Sequence, residues 1–146
     1  MRVYLDTSVC NRLFDDQTQP RIWLETMSLA LIVQMIETNV IDLVGSAVVE
    51  YENSRNPYPL RRQWVTRCLL MATESQRVDE AIRHRSEVLA TGGLHAVHAL
   101  HIACAEAAQC EFFLTCDDQV VRRYTGELVE VCNPVSFLLM ITGEQT

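Results

Sequence analysis

Three short apolar runs in this chain each stop at residues bearing a hydroxyl or an acid. Arg2-Val-Tyr-Leu5 ends at Asp6-Thr7-Ser8, Val40–Val44 at Gly45-Ser46, and Cys110–Leu114 at Thr115-Cys116-Asp117-Asp118. Runs of this length bounded by turn and helix-cap chemistry read as strands, the first followed by a loop. Between them lie segments that are too long for strands or carry apolar residues at helical spacing. These predict helices over 20–38, over 47–54 with Ser46 as cap, and over 60–72, 76–91 and 95–109. A fourth strand is expected over 128–132, and Pro134 opens a closing helix through Ile141. Strands alternating with helices specify an α/β domain on a mostly parallel sheet. Such a sheet places sites at the carboxyl ends of its strands, outside a topological switch point. Asp6 and Asp117 lie just past two strand exits, and Glu50 and Glu52 lie within two turns of a third.

The 146 residues suit one domain spanning 1–146, with no linker or repeat to divide it. No apolar run exceeds five residues, against the ~18 that a spanning helix needs. Asp6 also interrupts the start before a secretory core can form, so a cytoplasmic protein without a membrane segment is expected. The six cysteines contain no C-x-x-C pair and read as reduced core thiols; the six-residue steps from Cys104 through Cys110 to Cys116 do not match zinc spacing.

The net charge of −7 argues against binding nucleic acid over the whole surface. All twelve cationic residues are arginine, the side chain suited to bidentate phosphate contacts. The stretch from Arg55 to Arg67 reverses the overall charge, with Arg55, Arg61, Arg62 and Arg67 interleaved with Tyr58 and Trp64 and no acid. Two readings stand: an RNA-contacting surface, or a solvated helix with Trp64 in the core.

Carboxylates gathered at one rim repel one another unless some are protonated or a cation is bound. A hard divalent ion, Mg²⁺ or Mn²⁺, is the economical partner, and it suits phosphodiester hydrolysis. His95, His98 and His101 at i, i+3 and i+6 offer a zinc alternative, although a helical zinc pair is expected at i, i+4.

Four blocks in order carry a resemblance: Leu5-Asp6-Thr7-Ser8, Ser46-Ala-Val-Val-Glu-Tyr-Glu52, His98-Ala-Leu-His101-Ile-Ala-Cys-Ala105, and Phe113-Leu-Thr-Cys-Asp117. The chain resembles the PIN-domain family of metal-dependent ribonucleases over almost its whole length. The resemblance implies a three-layer α/β/α sandwich, acids binding Mg²⁺ or Mn²⁺, and hydrolysis of single-stranded RNA. By the family pattern Asp6, Glu52 and Asp117 are the metal-binding acids, with Thr7, Ser8, Thr115 and Asp118 in support. His98 departs from it, standing where the family has an acid, and weakens the site for Mg²⁺ relative to Mn²⁺. Many members are toxins held by a small antitoxin, so a protein partner is implied. The broad apolar segment 22–36 suits that partner or a homodimer. The rival reading is a catalytically weakened or silent module that binds RNA or protein.

Overall fold

The computed structural model describes residues 1–143. Five strands, β1 (Arg2–Leu5), β2 (Asp42–Ser46), β3 (Glu74–Gln76), β4 (Phe112–Leu114) and β5 (Glu130–Cys132), form one parallel sheet in the order β3-β2-β1-β4-β5. Eight helices flank it: α1 (Thr7–Asn11), α2 (Pro20–Glu37), α3 (Ala47–Ser54), α4 (Pro59–Leu70), α5 (Glu80–Thr91), α6 (Ala96–Ala107), α7 (Asp118–Arg123) and α8 (Pro134–Gly143). The result is the α/β/α sandwich expected from the sequence, with every strand pair parallel. The chain moves outward from β1 to β3, then returns to add β4 and β5 on the other side. Right-handed crossovers therefore place the helices that follow β1 and β2 on one face of the sheet and α5 and α6 on the other, while α8 returns to pack against α2.

The core is built by consecutive apolar residues of the central strands, which a parallel sheet buries on both faces. Val3, Tyr4, Phe113 and Leu114 are fully enclosed, and Ile32, Ile102 and Phe137 close over them from the helices. Tyr4 and Phe113 stack across neighbouring strands with ring centroids 5.2 Å apart. Gly45 lies in β2, beyond the predicted strand end, where a Cβ would stand 3.2 Å from the Leu69 side chain of α4.

Three expectations are corrected. The sheet has a fifth strand, because polar Glu-Ser-Gln at 74–76 gains strand geometry from pairing with β2 and has no apolar pattern of its own. Helix α5 consequently starts at Glu80 instead of 76, where the Asp79 side chain accepts the Ile82 amide at 2.8 Å. The loop expected after Asp6 is helical from Thr7 to Asn11. All six cysteines are buried and unpaired, as expected of core thiols.

Candidate metal centre at the carboxyl rim of the sheet

Topology makes the exits of β1 and β4, which carry the first and last predicted acids, neighbours, although among the described residues Asp117 stands outside the cluster that Asp6 joins. The order of the sheet reverses between β1 and β4, so the residues leaving those two strands meet at the switch point. Asp6 sits where the N-cap of α1 belongs, yet its carboxylate makes no capping bond. Oδ2 instead accepts from Thr115 Oγ1 at 2.9 Å and from Ser8 Oγ at 3.0 Å, while Thr7 Oγ1 lies 3.5 Å from Oδ1. The residue is only 2% exposed, and among the described residues no ion pair reaches it. A buried carboxylate held by hydroxyls alone is an arrangement that a cation would complete.

Glu52 approaches from α3. The Ser46 cap, accepting from Val49 N at 3.1 Å, starts this helix at the end of β2. The Glu52 Oε1 atom lies 2.5 Å from His101 Nε2 and 3.3 Å from Thr7 Oγ1. Burial raises its carboxyl, but the hydrogen bonds from His101 and Thr7 and the nearby imidazole of His98 outweigh this and hold it below the ordinary range. Glu50 turns the other way and accepts from Ser75 Oγ at 3.1 Å. Asp6, Glu52 and His101 each offer a ligand atom within 4.8 Å of the others. Oxygen-rich, anionic and partly buried, the donor set fits a hard divalent cation.

Asp117 follows β4 through Thr115, whose Oγ1 accepts the Asp117 amide at 3.1 Å while donating to Asp6. One of its carboxylate oxygens, Oδ1, caps α7 by accepting from Gln119 N at 2.9 Å. His98 lines a narrow crevice with Asp117, His95 and Arg123. The His95 and His98 rings are 6.3 Å apart, and among the described residues neither joins a three-ligand cluster, so the zinc alternative receives no support. Asp118 pairs with Arg21. Burial raises the neighbouring Cys116 thiol to about 12, leaving it protonated beside the carboxylates.

A network of charge around a buried glutamate was not visible in the sequence. Glu25 is completely buried on α2 and accepts from Arg12 Nε at 2.8 Å, Arg21 Nε at 3.2 Å and Asn133 Nδ2 at 2.5 Å. Arg21 reaches on to both oxygens of Asp118 and lies 3.5 Å from the Cys116 carbonyl. The loop carrying Asp117 is thereby tied to α2. One helical turn separates Arg21 from Glu25, a spacing that a search confined to strand exits passes over.

The basic strip divides in two. Arg61 donates to the Phe14 carbonyl and Asp15, and its guanidinium lies over the rings of Phe14 and Tyr58; Arg62 donates to the Asn56 carbonyl at 2.6 Å. Trp64 donates to the Cys10 carbonyl at 2.9 Å, which makes it a structural residue. Arg55, Tyr58 and Arg67 remain exposed. Arg55 lines a cleft together with Thr7 and Glu52.

Residues 3–126 match the family described as PIN domain. The chain belongs to the PIN-domain family. PIN domains are in general nucleases, and the carboxylates at the rim accord with hydrolytic chemistry. Among solved structures, this PIN domain is similar in fold to a chain in the crystal structure of VapBC2 from Rickettsia felis bound to a DNA fragment from their promoter. The TM-score is 0.59 at 12% identity, covering 91% of this chain and 98% of that one. No curated protein matches the sequence.

Proposed function

We propose that this PIN domain is a metal-dependent endoribonuclease that hydrolyses phosphodiester bonds of single-stranded RNA, acting as the toxin of a toxin–antitoxin pair. The observation that carries the reading is Asp6: a buried carboxylate with hydroxyl partners, no cationic partner among the described residues, and Glu52 beside it. Asp6 and Glu52 would hold Mg²⁺ or Mn²⁺, with Asp117 contributing from the β4 exit and His98 beside it. When bound, such an ion polarises a phosphoryl oxygen and lowers the pKa of water. Ser8 and Thr115 keep Asp6 oriented, Thr7 lies between the two acids, and Arg55 supplies positive charge for the phosphate chain along the cleft.

The antitoxin reading draws on the VapBC2 likeness and on α2. That helix keeps Trp23, Leu24, Met27 and Leu31 between 41% and 52% exposed on its outer side, an apolar face for an antitoxin or for a second copy of the chain. Among the described residues no helix is long and apolar enough to cross a membrane, in keeping with a cytoplasmic setting.

The deciding experiment is cleavage of labelled single-stranded RNAs with Mg²⁺, Mn²⁺ or EDTA, beside an Asp6→Ala control. Cleavage that requires both the ion and Asp6 supports the nuclease. A silent binding module is the second reading, favoured by the imidazole of His98 where the family has an acid. Wild type inert with every divalent ion, together with strong cleavage by His98→Asp, would establish that alternative.

A further inference from the structure

Behind Glu52 lies a file of hydrogen bonds whose direction can be worked out one proton at a time. Val49 N donates to Ser46 Oγ at 3.1 Å. Ser46 Oγ and Tyr4 Oη are 2.6 Å apart, as are Tyr4 Oη and His101 Nδ1, and His101 Nε2 is 2.5 Å from Glu52 Oε1. Tyr4, Ser46 and His101 are all 0% exposed, so no bulk water completes the set.

An ionised Glu52 accepts only, which requires the hydrogen on His101 Nε2. In the neutral ring Nδ1 is then bare and accepts from Tyr4 Oη. With its single hydrogen committed, Tyr4 receives the Ser46 hydroxyl, whose own lone pair takes the Val49 amide. Each hydrogen is used once, and the file runs one way, from the first turn of α3 to Glu52. The reverse arrangement has Nδ1–H donating to Tyr4 and Tyr4 donating to Ser46. It strands the Ser46 hydrogen, which has no further acceptor among the described residues, at the cost of a buried unsatisfied donor. Burial also raises the Tyr4 phenol well above its ordinary value, so it keeps its hydrogen.

We propose that Tyr4 and His101 are positioning residues for Glu52: the Ser46–Tyr4 pair fixes the His101 tautomer, and His101 presents an N–H to Glu52 without ligating the ion. The claim rests on the reading of this rim as a metal centre. Proximity alone would count His101 as a third ligand, but its ring nitrogen facing the acids already carries a hydrogen. The ion is left to the carboxylates, as a hard-cation site prefers.

The direct test is the ¹⁵N signature of the His101 ring in the full-length protein, recorded without metal and with Mg²⁺. The expected spectrum has the hydrogen on Nε2 and a bare Nδ1, unchanged by Mg²⁺. A hydrogen on Nδ1, or loss of the Nε2 hydrogen on loading, overturns the relay. Mg²⁺ and Mn²⁺ titrations form the second arm. His101→Leu should weaken binding ~10–100-fold, the usual effect of losing a partner that orients a ligand. His101→Gln restores an N–H near the position of Nε2 but no imidazole lone pair, and should recover most of that loss; equal losses in the two variants make His101 a ligand and refute the proposal. Tyr4→Phe, isosteric but for the hydroxyl, should weaken binding with the fold retained. Wild type that binds neither ion overturns the metal-centre reading and the role of His101 in it, whereas a misplaced ring hydrogen overturns the relay alone.

Discussion

Arg21 grips both oxygens of Asp118, at 2.7 and 2.6 Å, and so fastens helix α2 to the loop that carries Asp117. The pair is half exposed, which limits its direct contribution to stability to about 1 kcal/mol or less. Its effect is expected on the rim. Asp118→Ala, which cuts the clasp but leaves Arg21 on Glu25, should leave the melting transition within a few degrees while slowing metal-dependent cleavage about tenfold, roughly 1.4 kcal/mol of lost positioning. Equal activity in variant and wild type, measured on one RNA at saturating metal, would remove the loop anchor from the site.

Glu25 behaves differently because it is fully enclosed. Removing Arg12 as Arg12→Met leaves the buried carboxylate with half of its cationic support, and should cost about 3 kcal/mol in urea denaturation. Glu25→Gln tests the pH dependence. Burial raises the Glu25 carboxyl, but bonds from Arg12, Asn133 and Arg21 outweigh it and depress it below its ordinary value, about 4.3. The depressed group contributes stability that is fully present above the ordinary value and is lost as pH falls through the folded one. Wild type should therefore lose stability more steeply than Glu25→Gln on acidification below about pH 5.

Ion binding should stabilise the fold in proportion to occupancy. At a free concentration of one hundred times Kd, Mg²⁺ or Mn²⁺ should add about 2.7 kcal/mol to unfolding. Asp6→Asn retains the shape of the side chain and much of its hydroxyl bonding but lacks the charge, and should abolish the increment. Calorimetry with and without EDTA checks both.

Arg55 and Arg61 should separate in RNA binding. Arg55→Ala should reduce the slope of log affinity against log salt by about 0.7, one single-strand phosphate contact. Arg61→Ala should chiefly lower stability, because its guanidinium is already engaged by Phe14, Asp15 and Tyr58. Equal slopes for both variants and wild type would move the RNA path elsewhere.

The strand exits were legible because each couples a β-type run to hydroxyl or acid chemistry, and this locates Asp6, Thr115 and Asp117 from the sequence alone. Glu74–Gln76 was not legible, since an edge strand acquires its conformation from its neighbour. The Arg61 and Arg62 contacts were also hidden: charge in a sequence does not reveal which carbonyl it will meet after folding. Asp6 and Asp117 look alike in sequence, each an acid after a strand, and they differ in the structure. One turns away from its helix and the other caps it.

That difference reaches into coordination chemistry. With Oδ1 accepting from the Gln119 amide, Asp117 would present its other oxygen to a cation at no cost to the helix, whereas drawing Oδ1 fully onto the ion would weaken the cap of a six-residue helix, at about 1 kcal/mol. On the proposed reading Asp117 would hold the ion through a single oxygen because its helix starts where it does, and a substitution in the first turn of α7 that never touches the ion would still alter how tightly the ion is held.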